Sequence, residues 1–196
     1  MSLQSFETLG YKSPIRALSE EEASSFFAKA NQIRVMEKND NADYLGAATH
    51  YLFPELYDLV QRKEILDEVE KVLGPNILCW SSGFFNKEPH DPNYVSWHQD
   101  LTYWGLEPPD ILTAWIALTP STKQNGCMRV IPGSHVKGQI EHIDSFAENN
   151  LLSRGQEVQV EVNQKNVVDI TLQPGEMSLH HVLIVHGSKP NFSDTP

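Results

Sequence analysis

Three residues in two separate stretches of the sequence have side chains that can bind a metal ion together. His98 and Asp100 flank Gln99 in the segment SWHQDLTYWG, and His186 follows an apolar run much later in the chain. Two imidazoles and one carboxylate hold iron(II) on three corners of an octahedron and leave three corners open. Oxygen and an organic co-substrate can bind at the open corners, so this residue set indicates oxidative chemistry.

The elements around these residues must bring the two stretches together. The HxD pair lies two residues apart, and alternate residues of an extended segment point to the same face. His186 stands at the end of a predicted strand, Met177–His186, which contains two competing histidines. His180 shares a face with His186, and His181 lies on the other face. We favour His186, because the exit of a strand is where the mouth of a barrel is expected.

The first part of the chain is predicted to be helical. Ser19 and Glu22 form a capping-box pattern before an apolar stripe with helical spacing. A second helix is predicted to begin near Pro54, and a third to end at Gly74-Pro75. Helices are therefore expected to occupy residues 1–76.

After Pro75 the sequence changes to short runs rich in aromatic and β-branched residues, separated by Gly, Pro and Asn. Strands are predicted near Ile77–Phe85, Leu112–Leu118, Met128–Ile131, Val167–Leu172 and Met177–His186. Asn125-Gly126 indicates a turn between two of them. Several short strands without helices between them predict an antiparallel barrel or jelly roll. We expect one mainly β domain over 1–196, with flanking helices and a β core at 77–196.

Composition limits the partners and the location. A net charge of −11 argues against a nucleic-acid footprint and against docking on anionic lipid. No run approaches the roughly 18 apolar residues of a membrane span, and the first residues do not resemble a signal peptide. Cys79 and Cys127 lie in apolar runs without zinc-type spacing, so buried free thiols and a cytoplasmic location are expected. The pattern indicates no oligomeric state.

Three sequence blocks carry a family resemblance. VSWHQDLTYWGL, TAWIALTPSTKQNGCMRVIPGSH and PGEMSLHHVLIVHGSKPN follow one another in this order. Together they resemble the phytanoyl-CoA dioxygenase family of iron(II)- and 2-oxoglutarate-dependent oxygenases, over about residues 77–196. The resemblance implies a double-stranded β-helix, which is a cupin-like jelly roll with helices before it. It also implies that His98, Asp100 and His186 hold iron.

The same resemblance implies a co-substrate site and an activity. Trp115 would line the pocket for 2-oxoglutarate, and Ser188 would bind the distal carboxylate of that co-substrate. The reaction would consume O2, release succinate and CO2, and hydroxylate a small organic substrate. Related halogenases have a small residue in place of the carboxylate, so Asp100 favours hydroxylation over halogenation.

Substrate residues are expected near the same motif. Tyr103 and Trp104 follow the metal motif and either wall the substrate pocket or pack in a turn. Phe85 is expected at the mouth of the site. Lys87, close to it in sequence, is interpreted as a solvated loop lysine.

One part of the family pattern is not met within the sequence. The family has an Arg roughly ten residues beyond the second metal histidine, where its planar fork binds the co-substrate carboxylate. The sequence reaches Asp194–Pro196 about where this Arg is due. We therefore expect a jelly roll without its C-terminal strand, which binds iron but binds 2-oxoglutarate weakly. Arg129 and Arg154 are the nearest candidates for the Arg, and their spacing favours neither.

Two other classes of protein compete with the oxygenase. The first is a jelly roll that binds a metal or a small ligand without catalysis. The second is a cupin-like isomerase or hydrolase that holds zinc or manganese, since histidine and carboxylate sets also bind zinc. Succinate formation that depends on iron and oxygen would separate the oxygenase from both.

Overall fold

Helices precede most of the strands in this protein, for which a computed structural model describes residues 3–46, 48–159 and 161–196. The helices are α1 (Leu3–Leu9), α2 (Glu20–Asp40), α3 (Pro54–Val60), α4 (Lys63–Leu73) and α5 (Leu101–Trp104). The strands are β1 (Tyr11–Arg16), β2 (Val95–His98), β3 (Leu112–Ile116), β4 (Met128–Val130), β5 (His142–Asp144), β6 (Gln156–Val158), β7 (Val168–Asp169), β8 (Glu176–His181) and β9 (His186–Ser188).

The three helices predicted from the sequence are confirmed as α2, α3 and α4, but the part predicted to be helical also contains strand β1, which pairs with β8. The Ser19 hydroxyl accepts from the Glu22 amide at 3.1 Å, and the Glu22 carboxylate accepts from the Ser19 amide at 2.8 Å. Both bonds satisfy donors that the first turn of α2 leaves free. Pro54 begins α3, and α4 ends before Gly74, which has a φ of 78°. Within the described ranges, no helix is both long enough and apolar enough to cross a membrane.

The described strands form three antiparallel sheets, and the two larger sheets share one interior. The order is β1-β8-β3 in the first sheet and β2-β9-β4-β7 in the second, and β5 pairs with β6. Trp115 of the first sheet packs against a cluster that includes Val130 and Ile170 of the second sheet region. The predicted mainly β jelly roll with flanking helices is therefore confirmed.

Strand β8 separates the helical layer from the interior. Its Met177 and Leu179 are fully buried against Ile65 and Val69 of α4 and against Phe6 of α1. Side chains alternate along a strand, so Ser178 and His180 point the other way, into the space between the sheets. The helices thus cover the outer face of the first sheet, and its inner face carries polar groups.

Three of the predicted strands differ from the observed ones. Residues 77–85 contain no strand, because this segment has no ladder partner. The predicted Val167–Leu172 shortens to β7, with one further bridge between Leu172 and Ser121. Leu112–Leu118 and Met128–Ile131 are confirmed as β3 and β4, within one or two residues.

The prediction of one continuous strand over Met177–His186 is wrong. The chain turns after β8, where the Ile184 amide donates to the His181 carbonyl at 2.9 Å. The Leu183 amide donates to His181 Nδ1 at 3.1 Å, and the Val185 amide donates to the Ser134 hydroxyl at 2.8 Å. These bonds replace a ladder, and the chain crosses from one sheet to the other. His186 therefore begins β9 and does not end a strand.

Candidate metal centre

The pairing of β2 with β9 brings the two remote stretches together. His98 and His186 are direct antiparallel partners in this ladder. Their rings lie 4.2 Å apart between centroids. Asp100 follows two residues later, at the start of α5, and turns back toward both rings.

The three side chains form a compact set of possible metal ligands. One ligand atom from each of His98, Asp100 and His186 lies within 4.8 Å of the others. Asp100 Oδ1 is 3.3 Å from His98 Nε2 and 3.5 Å from His186 Nε2. Among the described residues, this is the group of three or more His, Cys, Asp or Glu side chains that could hold a metal ion.

Backbone carbonyls fix how both imidazoles are presented. His98 Nδ1 lies 2.9 Å from the Ser96 carbonyl, and His186 Nδ1 lies 3.0 Å from the Ile184 carbonyl. A carbonyl only accepts, so each Nδ1 donates a proton to its carbonyl, and each Nε2 is turned toward Asp100 Oδ1. Metal-bound histidines are usually oriented by such a bond at the second nitrogen. The donor set therefore fits a divalent transition metal.

Burial sets the charges of this group. Burial and the neighbouring His98 lower the pKa of His186 to about 3, so its imidazole is neutral at neutral pH. Burial opposes ionisation of Asp100, but His186, His180 and His98 outweigh it and hold the pKa of Asp100 well below its ordinary value. A neutral His186 imidazole and an ionised Asp100 carboxylate are the protonation states that metal binding requires of these two residues.

A third histidine stands beside the carboxylate. His180 is 2% exposed, and its Nε2 lies 3.7 Å from Asp100 Oδ2. The Thr113 hydroxyl donates to the same oxygen at 3.4 Å. Asp100 thus turns one oxygen toward His98 and His186 and the other toward His180 and Thr113. The sequence presented His180 as a competitor of His186, whereas the structure places both at one centre.

Gln99 anchors the turn between the two candidate ligands of the HxD motif. It is fully buried, and its amide nitrogen donates to the carbonyls of Leu183 at 2.7 Å and Gly138 at 2.9 Å. Its amide oxygen accepts from the Ile140 amide at 2.7 Å, and its backbone amide donates to His142 Nε2 at 2.9 Å. The sequence gives no local signal for this role of Gln99, because every partner comes from a distant segment.

Ser188 lies two residues beyond His186 on the same face of β9, which is short and extended. Its hydroxyl accepts from Lys87 Nζ at 2.5 Å. Trp115 lies on β3 opposite Ser178 and packs at the interior cluster. Lys87 is only 6% exposed, so its interpretation as a solvated loop lysine is wrong. The residues that flank Lys87 in sequence are mostly polar, and such a segment is usually exposed, so its local sequence did not indicate this burial.

The three predicted substrate residues occupy different surroundings. Tyr103 sets its ring edge-on to His98, with centroids 5.8 Å apart, and its hydroxyl accepts from the Gln156 amide at 3.2 Å. Burial raises the pKa of Tyr103 to about 12, so it is a neutral phenol. Trp104 packs edge-on against Trp80 at 5.4 Å. Phe85 is 52% exposed.

The two arginines considered for the co-substrate do not face Ser188. Arg129 pairs with Asp169 at 3.2 Å and stacks over Trp97 at 5.2 Å, on the face of β2 opposite His98. Arg154 lies 3.8 Å from Asp144 and is half exposed. Both guanidinium groups are engaged by carboxylates elsewhere.

Known proteins resemble the chain in sequence and in fold. A sequence profile of the phytanoyl-CoA dioxygenase family matches residues 7–196. The peroxisomal phytanoyl-CoA dioxygenase of Homo sapiens is 32% identical over 142 residues, which are 70% of this chain and 42% of that protein. The chain spans about half the length of the curated relatives that it matches.

Two solved structures share the fold closely. The non-heme monooxygenase ThoJ, in its apo form, aligns with a TM-score of 0.89 at 30% identity, over 98% of this chain and 72% of ThoJ. The non-heme alpha-ketoglutarate-dependent carbocyclase SnoK from nogalamycin biosynthesis aligns with a TM-score of 0.77 at 28% identity, over 99% of this chain and 79% of SnoK. Because the family profile covers nearly the whole sequence, the chain belongs to the phytanoyl-CoA dioxygenase family.

Proposed function

We propose that this chain is an Fe(II)- and 2-oxoglutarate-dependent dioxygenase that hydroxylates a small organic molecule. The observation that carries the proposal is the convergence of two Nε2 atoms and one carboxylate oxygen within 4.8 Å. This is the facial ligand set of non-heme iron oxygenases. Iron held there supplies oxygen activation coupled to the conversion of 2-oxoglutarate to succinate and CO2.

The side chains of the centre have separate tasks in this proposal. His98, Asp100 and His186 hold the iron. Ser188 binds the distal carboxylate of 2-oxoglutarate, and Trp115 walls the pocket that receives it. The position of Ser188, on the same face of β9 as His186, supports this assignment.

Asp100 supports hydroxylation over halogenation. Its Oδ1 atom faces both candidate histidine ligands, at 3.3 and 3.5 Å. A third protein ligand then occupies the position that a halide would need. The Oδ2 contacts with Thr113 and His180 keep the carboxylate turned this way.

The substrate is proposed to be a small, partly apolar molecule. Tyr103 and Trp104 provide aromatic surface close to the centre, and Phe85 provides exposed aromatic surface on an adjoining segment. Aromatic surface of this kind suits an organic ligand with apolar groups.

A cytoplasmic location forms part of the proposal. Cys79 and Cys127 are both free thiols, and Cys127 is buried. Free thiols agree with a reducing compartment, where structural disulfides are rare.

The test is succinate formation from 2-oxoglutarate, measured by mass spectrometry with and without Fe(II) and O2. We expect succinate only when both are present, and we expect His186→Ala to abolish it. His90→Ala is the matched control, because His90 is exposed and contacts Asp194. Tight Fe(II) binding without succinate, across a panel of small substrates, would instead identify a non-catalytic metal-binding jelly roll.

A further inference from the structure

Lys87 is a buried cation without a carboxylate partner. Its side chain is 6% exposed, although it belongs to a segment without regular secondary structure. Nζ donates to the Ser188 hydroxyl at 2.5 Å, to the Lys189 carbonyl, and to the Gly126 carbonyl at 3.4 Å. All three acceptors are neutral. In the part of the chain that the structure describes, no Asp or Glu oxygen lies within ion-pair distance of Nζ.

A buried ammonium group is costly unless an anion compensates its charge. Burial lowers the pKa of Lys87 to about 8, and the more distant Asp91 and Cys127 only partly oppose this shift. Cys127 is itself a neutral thiol, since burial raises its pKa to about 11. The groups around Lys87 therefore leave its positive charge largely uncompensated.

The fold builds a close corner around this ammonium group. Gly126 has a φ of 79°, and a Cβ on it would lie 3.1 Å from Lys87 Nζ and overlap the Lys189 carbonyl. Only glycine adopts this backbone conformation at low cost next to two such close neighbours. The turn that the sequence predicts at Asn125-Gly126 therefore packs against Lys87 Nζ and keeps it close to Ser188.

The Ser188 hydroxyl has one proton to donate. Because its oxygen already accepts from Lys87, that proton points away from the ammonium group and is available to another acceptor. Ser188 shares a face of β9 with His186, one strand repeat away, roughly 6.6 Å along the strand. A short dicarboxylate bound at the metal by one end can therefore reach Ser188 with the other.

We propose that Lys87 orients the Ser188 hydroxyl and supplies the positive charge that attracts the distal carboxylate of 2-oxoglutarate. This inference rests on the proposed function. Lys87, which would supply the positive charge for the distal carboxylate, lies outside the three sequence blocks that carry the family resemblance. Lys87 contacts Ser188 directly, whereas Arg129 and Arg154 pair with carboxylates on other faces.

The test compares two titrants in the anaerobic Fe(II)-loaded protein by calorimetry. One is 2-oxoglutarate, and the other is 2-oxopentanoate, which has the same carbon chain without the distal carboxylate. Lys87→Met is expected to weaken 2-oxoglutarate binding by about tenfold or more, the scale of a lost hydrogen bond to a charged group. Binding of 2-oxopentanoate should stay unchanged, and Lys87→Arg should keep most of the affinity for 2-oxoglutarate.

Lys38→Met is the matched control, since Lys38 lies in the last turn of α2. It should bind both titrants as the wild type does. A double-mutant cycle of Lys87→Met with Ser188→Ala adds a second measurement. Two residues that act on one carboxylate should give non-additive losses of 2-oxoglutarate affinity. In the wild type, affinity for 2-oxoglutarate should fall as the pH rises above about 8, and in Lys87→Arg it should stay level.

The outcomes separate the two proposals. Wild-type protein that binds Fe(II) but shows no 2-oxoglutarate binding overturns the proposed function and this inference with it. Wild-type protein that prefers 2-oxoglutarate over 2-oxopentanoate, and keeps this preference in Lys87→Met, overturns the role of Lys87 alone. If Lys87→Met does not fold, the pH profiles of the wild type and Lys87→Arg decide, and equal profiles would refute the inference.

Discussion

The candidate metal centre and the proposed aromatic mouth, which consists of Phe85 and Trp104, are built in different ways. At the centre, each histidine of the candidate triad has its Nδ1 fixed by a backbone carbonyl, and Asp100 is contacted on both oxygens. At the mouth, Phe85 is 52% exposed, and Trp104 contacts another aromatic ring instead of a polar anchor. We propose that backbone and side-chain contacts fix the metal ligands, while the less constrained aromatic side chains of the mouth set the choice of substrate.

The largest expected effect is at the centre itself. Asp100→Ala removes the only carboxylate of the set, and we expect Fe(II) affinity to fall more than about 100-fold, beyond the effect of losing an outer contact. Competition with a metal-sensitive dye measures the affinity. Trp104→Ala serves as the control from the mouth and should leave metal affinity unchanged. Equal losses in the two variants would contradict the division between centre and mouth.

The anchor of the HxD turn should matter for folding more than for chemistry. Gln99→Leu leaves the carbonyls of Leu183 and Gly138 and the Ile140 amide without their partner. We expect the free energy of unfolding to drop by about 3 kcal/mol or more, since each unsatisfied buried group costs about 1–3 kcal/mol. Urea titration of the metal-free protein measures it. Gln139→Leu, at an exposed position, should change stability by less than about 0.5 kcal/mol.

Substitutions of His180 test whether the orientation of the Asp100 carboxylate affects metal binding. His180→Leu removes the imidazole near Asp100 Oδ2, and we expect a loss of about tenfold in Fe(II) affinity, as for other contacts that orient a metal ligand. His180→Asn should recover part of the loss, because an amide can still donate toward Asp100. The absorption spectrum of the Co(II)-loaded variants reports whether the ligand geometry changes. Unchanged Fe(II) affinity and unchanged Co(II) spectra in both variants would show that Thr113 alone is sufficient to orient Asp100.

The charge of Lys87 predicts a pH dependence of stability. The pKa of Lys87 is lowered to about 8 in the folded protein from a usual 10.5, so unfolding takes up a proton between these values. The free energy of unfolding should therefore rise with pH across this window, by about 1–2 kcal/mol once solvent screening is included. Lys87→Met should lack this part of the rise. Parallel stability curves for the two proteins from pH 8 to 10.5 would argue against a strained buried charge.

The smallest effect is expected at the mouth. Phe85→Ala removes an exposed ring, so stability should change by less than about 0.5 kcal/mol. Metal affinity should also be unchanged, and any effect should appear as a higher KM for the organic substrate. A lower kcat at unchanged KM would contradict the assignment of Phe85 to the mouth.

Local signals in the sequence predicted much of the helical part. The capping box at Ser19 and the stop at Gly74 depend on neighbours a few residues away, and both were confirmed. Strands depend on partners far along the chain. The apolar run Val182–Val185 therefore read as a strand, although Ser134 and His181 turn it into a crossover. Residues 77–85 have strand-like composition but no partner, so no strand forms there.

The sequence by itself determined which side chains can hold a metal, because ligand chemistry belongs to residue type and the HxD spacing places two ligands on one short segment. It also determined the family, through three blocks in a fixed order. Only the tertiary structure placed His180 beside Asp100 and Lys87 against Ser188. Both positions follow from contacts between segments remote in sequence, and the burial of a lysine or the direction of a histidine cannot be read before those contacts exist.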